Sequence, residues 1–143
     1  MRRAALPVLA VFLLASACMS GQGTTEEPKD SWSAPAEARS RRNPVEASES
    51  SVERGRMLYR GNCYLCHGAE GHGDGPWVEQ LPERPSDLTD PEKMRGMSDG
   101  EIFWKISRGR EQMPAFEKQL SEHQRWDVVN YLRWLGRAPQ GRE

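Results

Sequence analysis

Cys63-Tyr64-Leu65-Cys66-His67 is the stretch on which the reading of this chain turns. Two thiols three residues apart, followed at once by an imidazole, form the attachment motif for c-type haem. The spacing has a physical basis. Each thiol can form a thioether with one of the two haem vinyl groups, and the adjacent histidine then projects its ring at the iron. Cys63 and Cys66 are the expected thioether residues and His67 the expected proximal ligand, one haem c per chain. Three other readings need partners that the sequence does not offer. A thioredoxin-like CxxC needs a βαβ setting, and no strand pattern flanks it. A zinc site needs about four ligands, and no second Cys/Cys or Cys/His pair exists. A disulfide between Cys63 and Cys66 has no evident use.

Outward from the motif, the composition bounds the rest. A length of 143 residues suggests one folded domain. Lys and Arg number 20 against 21 Asp and Glu, so there is no basic excess to suggest a nucleic-acid partner. The apolar fraction, 36%, is low for a globular chain. Part of the chain is therefore expected to be unfolded, or a cofactor completes the core. Of the three cysteines, the motif takes two.

The third, Cys18, follows an export signal. Arg2 and Arg3 form its positive start, residues 4–14 its apolar run, and Ala15-Ser16-Ala17 a small-residue cleavage site, so residues 1–17 read as a signal peptide. The apolar run is shorter than the roughly 20 residues that span a bilayer. Leu13 to Cys18 resembles the lipobox of bacterial lipoproteins, with Ala15 standing where that family usually has Leu. The resemblance implies acylation of Cys18 and anchoring to a membrane. The ordinary signal peptidase would cut at the same place and leave a soluble periplasmic form with a free thiol. Either route puts the chain on the periplasmic side of a bacterial membrane. Residues 19–50 are rich in Ser, Glu, Ala, Pro, Gly and Arg with no apolar period, which reads as a disordered tether; 18–50 is thus anchor and linker. Such a tether would span roughly 30 Å.

The folded domain is expected over residues 51–137, with 138–143 as a tail. An all-α fold of three to four helices around the haem is predicted. The first covers 52–62, with Val52, Gly55 and Tyr59 on one face. Residues 68–91, rich in Gly and Pro, read as loop. A helix over 99–108 is capped by Ser98 with Glu101 three residues on, and Gly109 stops it. The last covers 121–135, with Ser121 as cap and Val128, Val129, Leu132 and Leu135 as its apolar repeat.

These segments together resemble the small class I monohaem cytochromes c. The resemblance runs over residues 55–135. It rests on Gly55-Arg56-Met57-Leu58-Tyr59, the CxxCH, Gly71-His72-Gly73-Asp74-Gly75-Pro76, the run from Gly109 to Phe116, and Trp126-Asp127-Val128-Val129-Asn130-Tyr131-Leu132. It implies that Gly55 and Tyr59 meet the face of the last helix carrying Val128, Tyr131 and Leu132. It also implies a distal methionine in the loop before that helix, and Met113, followed by Pro114, matches; Met97 is the other candidate. His72 and His123 are weaker candidates for the iron. Pro76 or Pro85 could offer a carbonyl to the His67 ring, and Trp104, Arg84 and Arg108 could meet the haem propionates.

The function expected is one-electron transfer by a His/Met-ligated haem, not enzymatic turnover. A single CxxCH does not suit a two-haem peroxidase. Redox proteins of a respiratory chain are the expected partners, docking around Ala115 and Phe116. Arg84-Pro85-Ser86-Asp87-Leu88-Thr89 and Ser98 to Trp104 are similar to monohaem subunits and fused cytochrome domains of bacterial respiratory chains, so a free shuttle and a fixed subunit both stay open. The alternative from another class is a haem sensor or small-ligand binder whose sixth ligand leaves easily.

Overall fold

The computed structural model describes residues 32–137. The signal segment 1–17, Cys18 and the tail 138–143 lie outside the described residues. Among the described residues six α-helices follow one another, and there is no strand beyond an isolated bridge between Arg110 and Met113. They are α1 (Ala36–Arg39), α2 (Glu49–Asn62), α3 (Tyr64–His67), α4 (Pro91–Gly96), α5 (Asp99–Arg108) and α6 (Glu122–Leu135), with a single 3₁₀ turn at Val78–Gln80. Among the described residues no helix is long and apolar enough to cross a membrane.

The long helices start and stop where local chemistry dictates. Ser121 accepts from the Gln124 amide while the Gln124 side chain accepts from the Ser121 amide, so α6 opens on a complete capping box. Ser98 caps α5 through the Glu101 amide, but Glu101 turns its carboxylate to Lys105 at 2.8 Å instead of closing the box. Helix α2 begins at Glu49, earlier than the apolar pattern indicates, because Ser48 accepts from the Ser51 amide and supplies the cap. Helix α4 was not expected. Asp90 caps it by accepting from the Glu92 and Lys93 amides, and Pro91 supplies a pre-set first residue.

The core is the crossing of α2 and α6 with α5 laid beside them. A Cβ on Gly55 would stand 2.1 Å from the Asp127 carbonyl oxygen and 2.8 Å from the Tyr131 Cβ, so only glycine lets the helices approach this closely. One turn on, Tyr59 is fully buried and its ring tilts against Tyr131 with centroids 5.2 Å apart. Val128 and Leu132 are buried in the same cluster. The face expected from the family resemblance is the face observed. Arg54 clamps the crossing from outside, donating Nε and Nη2 to the two Asp127 oxygens at 2.9 and 2.8 Å. Burial alone would raise the Asp127 carboxyl. Hydrogen bonds from Arg54 and Ser51, with the charges of Arg54 and His123, outweigh it and hold the group below its ordinary value. On α5, Ile102, Phe103 and Ile106 face inward, and Phe103 stacks on Trp126 at 4.0 Å.

The linker reading of residues 18–50 needs correction for its second half. Residues 32 to 48 pack onto the helices as a strap, and the compact unit begins at Trp32, not at residue 51. Ala34 and Ala38 are buried, and a Cβ on Gly100 would stand 2.0 Å from the Ala38 carbonyl oxygen. Ser98 donates to the Arg39 carbonyl at 2.7 Å. Arg41 lies 4.7 Å from the Phe103 ring centroid and pairs with Glu122. Asn130 of α6 is the hub. Its Oδ1 accepts from Asn43, and its Nδ2 donates to Ser51 Oγ and to the carbonyls of Val45 and Glu46. These are polar bonds and alanine-sized contacts, which leave no apolar period to read.

Candidate functional site

The short helix α3 carries Cys66 and His67, and Cys63 is its N-cap. Both thiols are free; no disulfide joins them. The folds of the next ten residues hold this turn from behind. The amides of Gly73, Gly75 and Trp77 donate to the carbonyls of His67, Cys66 and Leu65 at 2.9, 3.2 and 2.9 Å. The carbonyls left over at the helix end are thereby satisfied. Glycine is required at position 75, where a Cβ would meet the Leu65 carbonyl oxygen at 2.3 Å. Tyr59 donates its hydroxyl to the Gly68 carbonyl at 2.8 Å, tying the α2–α6 crossing to the residue after His67.

The His67 ring is positioned by Ser86, whose carbonyl oxygen lies 3.4 Å from Nδ1. Neither Pro76 nor Pro85 supplies this contact. The Pro85 carbonyl instead crowds Gly73, where a Cβ would stand 2.3 Å from it. With Nδ1 toward Ser86, Nε2 is the nitrogen left for a metal. Burial lowers the His67 pKa, with the Ser86 contact opposing, and so favours the neutral ring that ligates. Burial, with Cys66 adding, pushes the Cys63 thiol up to about 12.

Met113 sits in a tight turn between α5 and α6. The Arg110 amide donates to the Met113 carbonyl and the Met113 amide to the Arg110 carbonyl, at 3.0 and 2.9 Å. Gly109 has φ +61°, and a Cβ there would meet the Met113 carbonyl oxygen at 2.4 Å. Gln112 donates to the Glu83 carbonyl at 3.0 Å, binding this turn to the chain that leads into Ser86. Met113 and Cys63 both pack, half-buried, against the one core cluster. The other described methionines are placed differently. Met97 Sδ accepts from Lys105 Nζ at 3.2 Å, Met94 is buried against Gly136, and Met57 is exposed on α2.

The remaining candidates go elsewhere. His72 contacts Thr89 Oγ1 at 3.1 Å and lies 3.5 Å from Asp87, while His123 pairs with Asp127. Arg84 donates to the Gly73 carbonyl at 3.0 Å, and Arg108 lies 3.6 Å from Glu117. Trp104 lines a surface cleft with Arg41, Arg108 and Arg125. Phe116 is buried, its amide bonded to the Ile106 carbonyl, so of the two residues expected at a docking surface only Ala115 is exposed. Among the described residues no group of three His, Cys, Asp or Glu side chains is arranged to hold a metal ion. Two unbridged thiols and a neutral imidazole on one braced turn fit a covalently attached haem.

An all-helical bundle whose first long and last helices cross beside a CxxCH turn defines a class I monohaem c-type cytochrome. Residues 50–132 match the family described as cytochrome c oxidase, cbb3-type, subunit III, and the chain belongs to that family. It is similar to cytochrome c6 of Bumilleriopsis filiformis, 30% identical over 94 residues that make up 64% of this chain and 98% of the relative. Among solved structures it resembles the reducing HAO-like protein complex Kustc0457/Kustc0458 of Kuenenia stuttgartiensis, at 28% identity and a TM-score of 0.57. That match covers 64% of this chain but only 46% of the neighbour. A second neighbour is the KustC0563 c-type cytochrome, with 27% identity, a TM-score of 0.51, and coverage of 57% of this chain and 95% of that one. The protein thus carries covalently bound haem c and takes part in haem-based electron transfer.

Proposed function

We propose that this protein is an exported electron carrier whose haem is bonded through Cys63 and Cys66 and ligated by His67 and Met113. When bound, the haem supplies a one-electron Fe(III)/Fe(II) couple. The chain's own residues set its terms. Ser86 orients the His67 ring, and the Gly109–Met113 turn presents a thioether, a weak donor that favours the reduced iron and raises the potential. His67 and Met113 would together hold the iron and leave it no position for a substrate, as a carrier rather than a sensor or a peroxidase requires. The observation that carries the reading is the free pair Cys63 and Cys66 beside His67, with Ser86 at 3.4 Å from its Nδ1. Met113 is favoured because its turn is bonded to the segment that carries Ser86, whereas the Met97 sulfur is taken by Lys105.

The export signal at 1–17 and the cysteine at 18 support a periplasmic site of action, with acylated Cys18 holding the domain at the membrane. The partners proposed are redox proteins of a respiratory chain, and membership of a cytochrome oxidase subunit family supports that class. An optical redox titration of holoprotein tests the ligand set. Met113→Ala is expected to lower the potential by on the order of 0.1 V, within the roughly 0.8 V over which axial ligands set haem potentials, and to abolish the methionine–iron charge-transfer band. An unchanged spectrum and potential would remove Met113 from the iron.

A further inference from the structure

We infer that the apolar, acid-flanked surface at Leu65 and Trp77 is the docking face for a redox protein whose contact surface has an apolar centre ringed by lysines and arginines. The inference rests on the carrier reading above and names the chemistry of its partner. Most large apolar side chains here are buried. Leu65 and Trp77 are not, at 40% and 50% exposed. They are also neighbours, since the Trp77 amide donates to the Leu65 carbonyl at 2.9 Å. Leu65 stands between the two cysteines, so a protein covering this pair approaches the haem by way of its attachment turn. An exposed tryptophan beside a redox centre is a costly residue to leave in water, and aromatic anchors dominate protein interfaces.

Charge identifies the occupant. Residues 61–83 contain four of the chain's 21 carboxylates, Glu70, Asp74, Glu79 and Glu83, and none of its 20 cations. All four are exposed, and none forms an ion pair among the described residues. Glu79 lies in the 3₁₀ turn that Trp77 caps, and Asp74 stands beside Gly68, the residue after His67. Arg60 and Arg84 bound the segment, and Arg84 is bonded to the Gly73 carbonyl, yet four carboxylates against two arginines still leave an excess of two negative charges around the haem-attachment turn. Two copies of this face repel each other, which argues against a symmetric dimer through it. A face rimmed by lysine and arginine is attracted, and such complementarity raises encounter rates and fixes orientation.

The test uses reduced holoprotein and two oxidants of opposite charge in stopped-flow mixing. Tris(phenanthroline)cobalt(III) is an apolar cation that imitates both parts of the partner's face; ferricyanide is an anion. In each reaction one electron passes from haem Fe(II) to the oxidant, giving Fe(III) with Co(II) or with ferrocyanide. Raising salt from about 0.01 M to 0.1 M shortens the screening length from roughly 30 Å to 10 Å. The cobalt rate is expected to fall by on the order of tenfold and the ferricyanide rate to rise. Glu79→Lys/Glu83→Lys should flatten or invert both slopes, and Trp77→Ser should slow the cobalt reaction alone. If the charge-reversed protein fails to acquire haem, Glu79→Gln/Glu83→Gln is expected to reduce the slopes. Slopes unchanged by these substitutions, rates insensitive to salt in the unsubstituted protein, or a dimer in sedimentation that Trp77→Ser dissolves would each overturn the assignment. A wrong distal ligand is seen separately, in the Met113→Ala titration, and leaves the salt slopes intact.

Discussion

Replacing Gly55 by alanine should separate two helices, although alanine is the better helix former. On an open helix the exchange stabilises by about 1 kcal/mol. Here the new Cβ would lie 2.1 Å from the Asp127 carbonyl oxygen, against the 3.4 Å at which ordinary contact begins, a shortfall of about 1.3 Å. The next atoms, the Asp127 carbonyl carbon and the Tyr131 Cβ, are at 2.7 and 2.8 Å. None is the end of a flexible side chain, so no rotamer change relieves the overlap. Helix α2 must lift from α6 along Tyr59, Val128, Tyr131 and Leu132, and a gap of ~0.5–1 Å forfeits a quarter to a half of the dispersion energy of the contacts it opens. Overpacking of this kind costs about 1–3 kcal/mol and sometimes more. With backbone on the opposing side the upper end applies, about 3 kcal/mol, and the helix gain of about 1 kcal/mol leaves a net loss of about 2 kcal/mol. For a domain of this size that is a fall in Tm of roughly 8–16 °C. The assay is thermal and guanidinium unfolding of holoprotein followed by far-ultraviolet circular dichroism. Gly61→Ala is the control, because Gly61 lies on the same helix with nothing within 4 Å of its Cβ position. It should be neutral or stabilising by up to about 1 kcal/mol. If Gly55→Ala behaves like Gly61→Ala, the close crossing is not what requires glycine, and the argument fails.

Other outcomes follow from the same contacts. Asp127 has its carboxyl held below the unfolded value, so its contribution is present above pH ~4, the unfolded value, and is lost as pH falls through the lower folded one. Asp127→Asn should therefore flatten the acid limb of a stability–pH curve, and an unchanged limb would dismiss this group as a contributor. Arg54→Ala should move the acid unfolding midpoint upward, since the carboxylate would lose its bidentate partner. Asn130→Ala should cost about 1–3 kcal/mol by stranding Ser51 and the strap carbonyls. It should also speed amide exchange or proteolysis within residues 33–48; protection equal to the unsubstituted protein would show that the alanine contacts alone hold the strap.

The sequence was most legible where one rule acts alone. Helix α5 has the predicted limits because a capping serine, an apolar face and a stopping glycine agree. Helix α6 is nearly as clear, opening one residue later than expected because Ser121 serves as its cap. Helix α4 was readable in principle from Asp90-Pro91 but has no apolar period, its one buried residue being Met94. The strap escaped notice because its order comes from Asn43, Asn130, Ser98 and Ser51, residues that read equally well as linker. At the site, the attachment turn announces itself through three side chains. The Ser86 contact uses a main-chain carbonyl, which no residue type marks. Phe116 looked available for a partner until the turn at Gly109 brought it back onto Ile106.

The strap also has a mechanical meaning. A pull on the N-terminal side of Trp32 enters the domain along residues 33–48 and is resisted first at Gly100, Ser98 and Asn130, before it reaches Ser48 and the start of α2. The load is met by α5 at residues 38 and 39 and then by α6 at residues 43 to 46, before it can run down α2 toward Cys63. The haem-attachment turn sits at the far end of that helix, behind an anchorage that yields first. A force on the chain ahead of Trp32 is thus taken up before it can disturb the geometry at His67, much as a cable clamp spares the joint behind it.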